Sequence, residues 1–160
     1  MIKRILLLAC ALYEVYSWCL ETTSLTTNSS VKRLYISEDN YLMVVGGTTK
    51  STIYNATTLS FICDYNHGGL TLLSLKFVPS RPLIVFGFEN DNVKIVSSIN
   101  CTQVNSFSTG HAKVYDVDFN MNGSKMVTCG DDKKFRVWNI SASAFLTSTP
   151  PLLGGGGFEC

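Results

Sequence analysis

The stretch Gly110–Asn139 constrains the fold of this chain more than any other. It opens on Gly110-His111, carries apolar residues at Val117 and Phe119, turns at Asn122-Gly123 and re-enters an apolar run to Thr128 and Gly130. A second turn at Asp131-Asp132 leads into Phe-Arg136-Val-Trp138-Asn139. Short alternating runs broken by Asn-Gly and Asp-rich turns specify antiparallel strands joined by hairpins. The landmarks of this stretch recur upstream at a fixed interval. Trp138, Val96 and Tyr54 stand 42 residues apart, and Phe119 stands 42 after Phe77, which stands 41 after Ile36. The local patterns Phe-Arg-Val-Trp-Asn, Val-Lys-Ile-Val-Ser and Ser-Thr-Ile-Tyr-Asn surround them, each with glycine (Gly130, Gly87, Gly46 or Gly47) seven to nine residues earlier. A repeat of about 40–45 residues in an all-β pattern is the mark of four-stranded blades arranged as a propeller. The expectation is an all-β chain, an incomplete β-propeller of four-stranded antiparallel blades.

The period divides the chain. Residues 31–145 supply three blades. The first has Leu34-Tyr-Ile36, Tyr41–Val45 and Ser51–Tyr54 as strands; the second has Leu73–Phe77, Leu83–Phe88 and Val93–Val96. Pro79-Ser-Arg-Pro82 and Glu89-Asn-Asp-Asn92 provide turn chemistry. Residues 146–160, with Pro150-Pro151 and Gly154–Gly157, read as a flexible tail that leaves the ladder.

The third copy resembles a blade of the WD-repeat (beta-transducin-like) family, with Asn139 where the closing dipeptide usually has Asp. That resemblance implies a buried polar set linking His111, Thr128, Asp132 and Trp138, with a structural role: buried polar groups must be hydrogen-bonded, and a chain of them fixes one packing of the strands. The second copy has Asn90 and Val96 at the Asp and Trp positions, and the first has Thr48 and Tyr54, so these blades are expected to rely on apolar packing. The family resemblance further implies a non-enzymatic scaffold that binds a protein or peptide through rim loops such as 46–51, 89–92 and 131–134. Arg136, in the expected exposed alternation, and Lys133 are the candidate partner contacts. Three blades also imply self-association through open blade ends.

Residues 1–30 admit two readings. Lys3-Arg4 followed by the apolar run Ile5–Tyr13 has the form of a signal peptide, and five Asn-x-Ser/Thr sequons (Asn28, Asn55, Asn100, Asn122, Asn139) suit a secreted β-rich glycoprotein. Against this, Leu6–Trp18 aligns without a gap on Ile84–Val96, 78 residues on, as a truncated blade would. Glu14 also falls just past the apolar run, and three sequons sit at turn or strand-end positions. The truncated blade is the favoured reading, with the cytoplasm or nucleus as location and a fragment of a longer WD-repeat protein as a further alternative.

Composition narrows the chemistry. A net charge of +1, with basic residues scattered along the chain, offers no electrostatic stripe for nucleic acid or an anionic membrane. Six cysteines without a Cys-x-x-Cys pair give no local metal-ligand cluster; they read as buried thiols rather than a disulfide framework. His67 and His111 lack a flanking nucleophile motif, and the pairs Asp116/Asp118 and Asp131/Asp132 fit solvated or capping roles. Gly46-Gly47 and Gly154–Gly157 lack the strand–loop–helix setting of a phosphate cradle. No catalytic residue, cofactor or metal is assigned.

Overall fold

The computed structural model describes residues 30–140 and 152–154, and every regular element among them is a β-strand. Blade 1 contains β1 (Arg33–Ile36), β2 (Leu42–Gly46), β3 (Lys50–Asn55) and β4 (Phe61–Asn66). Blade 2 contains β5 (Leu72–Phe77), β6 (Leu83–Phe88), β7 (Asn92–Ser97) and β8 (Gln103–Ser108). Blade 3 contains β9 (Val114–Phe119), β10 (Lys125–Gly130), β11 (Phe135–Asn139) and β12 (Leu152–Gly154). Within each blade the strands pair antiparallel in chain order, giving an open partial propeller of three four-stranded sheets.

Strand register explains the sequence period. Ile36 pairs with Met43 and Met43 with Tyr54; Phe77 pairs with Ile84 and Ile84 with Val96; Phe119 pairs with Met126 and Met126 with Trp138. The landmarks are thus cross-strand neighbours on one face of each sheet. The strands connect through repeated turns: the amides of Asn40, Arg81 and Gly123 donate to the carbonyls of Ser37, Val78 and Asn120.

Each landmark face packs on the blade before it. Phe77, Ile84, Phe86 and Val96 of blade 2 form one core with Val44, Ile53 and Tyr65 of blade 1. Val117, Met126 and Trp138 of blade 3 form a second with Val85, Val93 and Ile95 from the other face of blade 2. Blade 2 is therefore covered on both sides, which is why β6 is an unbroken apolar run buried from Ile84 to Phe88, whereas β10 alternates. On blade 1 the landmark face carries Ile36 at 46% exposure and Leu34 at 57%. Lys76 ties the innermost strands together: its Nζ lies 3.0 Å from Asp118 Oδ1 on β9 and 4.7 Å from the centre of the Tyr35 ring on β1.

Three features differ from the sequence reading or extend it. Leu152–Gly154, expected in a tail that leaves the ladder, pair with β11 through Val137–Leu152, Arg136–Leu153 and Phe135–Gly154. These residues take the edge of β11 opposite β10, and Pro150-Pro151 precede the pairing segment in sequence instead of interrupting it. Cys63 and Cys101, expected as thiols, form a disulfide with a Cα–Cα distance of 5.9 Å, and Cys129 is disulfide-bonded as well. Cys63 and Cys101 lie on different blades, so their spacing in sequence carries no hint of the pairing. Residues 1–29, on which the blade-remnant and signal-peptide readings turn, lie outside the described residues, as does the rest of the segment 146–160.

Candidate functional site

The Gly110-His111 segment reaches β9 from the outer strand β8, while β10 and β11 present Thr128 and Trp138 toward blade 2. His111, Thr128 and Trp138 are buried. Trp138 Nε1 donates to Thr128 Oγ1 at 3.0 Å, Thr128 Oγ1 lies 3.1 Å from His111 Nε2, and His111 Nδ1 lies 2.7 Å from Asp132 Oδ1. The donor inventory orders these contacts. Indole N–H only donates, so Thr128 accepts from Trp138, while the direction of the two contacts at the His111 ring depends on its tautomer.

Asp132 sits in the turn between β10 and β11. Partial burial pushes its carboxyl up, but the hydrogen bonds from His111 and Arg136 outweigh this and hold it below the usual carboxylate range. Arg136 Nη1 lies 2.7 Å from Asp132 Oδ2 and also against the His111 ring, and Nη2 donates to the Gly110 carbonyl at 3.3 Å. The sequence reading placed Arg136 in an exposed alternation. Its side chain is only 12% exposed, because it lies opposite Thr128 on the face that packs toward blade 2. Lys133, at the tip of the same turn, is exposed with a left-handed backbone (φ 57°).

The two carboxylates of that turn do separate work. Asp131 Oδ1 accepts from the Lys113 amide at 3.0 Å, while Asp132 serves His111 and Arg136. Asp116 accepts from the Val117 amide, and Asp118 pairs with Lys76. Gly130 is needed for the approach of the histidine: a Cβ there would stand 2.5 Å from both Cβ and Cγ of His111 and against the Lys113 carbonyl. Gly87 has a related role in the preceding blade, where a Cβ would meet Ser74 Oγ at 2.5 Å and Val114 Cγ1 at 2.9 Å.

The other blades fill the equivalent positions with apolar groups. In blade 2 Phe86 stands where Thr128 stands in blade 3, and both Phe86 and Val96 are completely buried. Asn90 there makes a local contact, accepting from the Asn92 amide. Sequence reasoning missed a second buried histidine. The His67 amide donates to the Thr49 carbonyl as the Thr109 amide does to that of Asp91, 42 residues on, so His67 occupies the place of Thr109 and not of His111. From there its Nε2 lies 2.8 Å from Ser51 Oγ on β3, and its ring packs on Phe86 and Phe88. Burial lowers its pKa, with Lys94 adding to the effect against a backbone hydrogen bond at Thr48. The order His67-Gly68, reversed from Gly110-His111, is the signal that marked the difference.

Three of the sequon asparagines have structural partners. Asn100 Oδ1 accepts from the Thr102 hydroxyl at 2.8 Å and amide at 3.3 Å, Asn122 Oδ1 from the Ser124 amide, and Asn55 Oδ1 from the amides of Thr57 and Thr58. Asn followed two residues later by Ser or Thr is here the chemistry of an Asx turn.

Comparison with known proteins accords with this geometry. The family described as WD domain, G-beta repeat, matches residues 101–139. Polyadenylation factor subunit 2 of Candida albicans is 29% identical over 104 residues, covering 65% of this chain and 19% of its own length. U3 small nucleolar RNA-associated protein 12 of Saccharomyces cerevisiae is 24% identical over 113 residues, covering 70% of this chain and 12% of its own. The chain thus spans less than a fifth of either relative. Residues 101–139 thus match a WD repeat, and they lie within the second and third of three four-stranded antiparallel sheets.

Proposed function

We propose that the chain is a non-enzymatic scaffold whose blades hold a protein or peptide ligand at the rim. The observation that carries this reading is the use of polar chemistry in blade 3. His111, Thr128 and Trp138 are buried and hydrogen-bonded to one another and to Asp132, which fixes the β10–β11 turn and leaves Lys133 outward. In this reading the His111–Thr128–Asp132–Trp138 set is structural. The rim loops 46–51, 89–92 and 131–134 present varied polar groups on a rigid frame, the arrangement by which scaffolds usually bind. The names of the two relatives, one a subunit of a polyadenylation factor and one associated with the U3 small nucleolar RNA, support a place in a nuclear RNA-processing assembly. The net charge of +1 favours its protein subunits over the RNA itself. Blade 1's landmark face, with Leu34 and Ile36 exposed, is a surface on which a further blade or a second copy would pack.

Crosslinking mass spectrometry on the tagged chain in nuclear extract tests the rim reading. Partner crosslinks should map to loops 46–51, 89–92 and 131–134, and Lys133→Glu should remove those at the third loop without altering the circular dichroism spectrum. Crosslinks that avoid the rim, or are indifferent to Lys133→Glu and to matching reversals in the other loops, would refute it.

A second reading, a secreted or luminal glycoprotein, draws support from the Cys63–Cys101 disulfide, since such bonds persist mainly in oxidising compartments. Intact mass from eukaryotic cells separates the two: an unmodified first residue without glycan fits the nuclear scaffold, and a shortened, glycosylated chain fits the secreted form.

A further inference from the structure

The seam between blades 1 and 2 is fastened in three places. At the inner strands Tyr35 packs on Phe77 and beneath Lys76. In the middle Ile53, Val44 and Tyr65 meet Phe86 and Phe88 in one core. At the outer edge Tyr65 Oη donates to Gln103 Oε1 at 2.9 Å, and two residues earlier on each side Cys63 is bonded to Cys101. Cys63 lies on β4, the outermost strand of blade 1. Cys101 lies in the β7–β8 turn of blade 2, 8% exposed, with φ 57°. The seam between blades 2 and 3 is closed at its outer side by the tilted packing of Phe107 on Trp138 instead.

The same two segments border a groove. An open cleft of about 550 Å³ runs between the blades on the side of the β1–β2, β5–β6 and β7–β8 turns. Its blade 1 wall includes Tyr41 and Ile62, the latter next to Cys63; its blade 2 wall includes Pro79, Pro82, Ser98 and Ile99, the last two in the turn that holds Cys101. Ser98 is 2% exposed, and its Oγ has no hydrogen-bond partner among the described residues.

We propose that the Cys63–Cys101 bond is a redox-controlled staple that sets the spacing of the outer edges of blades 1 and 2, and with it the width of this groove. In the oxidised chain the bond limits how far β4 moves from the β7–β8 turn. A dithiol reductant cleaves the Sγ–Sγ bond: two electrons and two protons pass to the cysteines, leaving two thiols, and the reductant departs as its own disulfide. The Tyr65–Gln103 hydrogen bond and the apolar core then hold the seam without a covalent tie, and the outer edge opens by local unfolding more often. The proposal concerns how the blades are held, and stands whether or not the rim binds a protein.

Peptide mapping and hydrogen exchange on the full 160-residue chain, purified without reductant, test it. Trypsin under denaturing, non-reducing conditions should release peptides 51–76 and 95–113 as a linked pair, each containing a single cysteine. On reduction with dithiothreitol, amides of residues 61–66 and 97–103 should exchange at least about tenfold faster. The double variant Cys63→Ser/Cys101→Ser should reproduce that increase with Cys129 left oxidised, while β9 keeps its protection. If the variant does not fold, the reduced parent chain carries the same comparison. Recovery of the two peptides as separate thiols, or unchanged exchange on reduction, overturns the proposal.

Discussion

Replacing Thr128 by valine is the sharpest test of the buried polar line. Valine matches threonine in shape and puts a methyl group where Oγ1 was, so packing is preserved and only hydrogen bonding changes. Two buried groups lose a partner: Trp138 Nε1–H, which donated at 3.0 Å, and His111 Nε2, which stood at 3.1 Å and keeps only Arg136 Nη1 at 3.2 Å. An unsatisfied buried polar group costs about 1–3 kcal/mol. For the two groups, offset by about 1 kcal/mol for the added buried methyl, the loss is about 1–5 kcal/mol. Against a total stability of about 5–15 kcal/mol, that is a large fraction. With a urea slope of about 1–3 kcal/mol per molar, a loss near the middle of that range lowers the midpoint by about 1–3 M. Thr128→Ser keeps the hydroxyl and should lose only about 1 kcal/mol. The assay is urea unfolding followed by circular dichroism, together with the indole N–H resonance of Trp138, which should shift and exchange faster in the valine variant alone. Thr128→Val within about 0.5 kcal/mol of the parent, with an unmoved indole resonance, would refute the argument.

Further consequences follow from the same geometry. Gly130→Ala would press its Cβ to 2.5 Å from the buried His111 ring and against a backbone carbonyl, so it should destabilise the chain by about 1–3 kcal/mol, read as a lower thermal midpoint; an unchanged midpoint counts against the close approach. Asp132 has a lowered folded-state pKa, so its contribution is present above the ordinary carboxylate range and is lost as pH falls through the folded value. Stability measured from pH 7 to pH 2 should therefore fall less steeply below about pH 4 in Asp132→Asn than in the parent, and parallel curves would contradict this. Phe86→Ala empties a completely buried site between blades 1 and 2 and should cost about 3–5 kcal/mol by urea unfolding; a loss below about 1 kcal/mol would mean that the seam is not packed around this ring.

Much of the architecture could be read before any coordinates. The 42-residue step reflects a physical identity, since Phe119, Met126 and Trp138 are cross-strand neighbours and so are their counterparts in the other blades. A side chain that must pack on the preceding blade recurs wherever the sheet recurs, so the period survives even where Trp138 is replaced by Val96 or Tyr54. The turn residues Asn122-Gly123 and Pro79 to Pro82 were legible for the same local reason: they satisfy backbone conformations that depend on a few neighbouring residues.

What depended on the third dimension was every contact between segments distant in sequence. Arg136 looked exposed by alternation, yet the face it shares with Thr128 is turned to blade 2 and its guanidinium is held by Asp132. His67 looked like a junction residue akin to His111, but strand register puts it at the place of Thr109, against Ser51. Cys63 and Cys101 gave no pairing signal across a separation of 38 residues, because only the stacking of one blade on the next brings them together. Periodicity within a sheet is written in local sequence, where strand and turn preferences act. Contacts between sheets are set by which faces are buried together, and that is decided only when the blades stack.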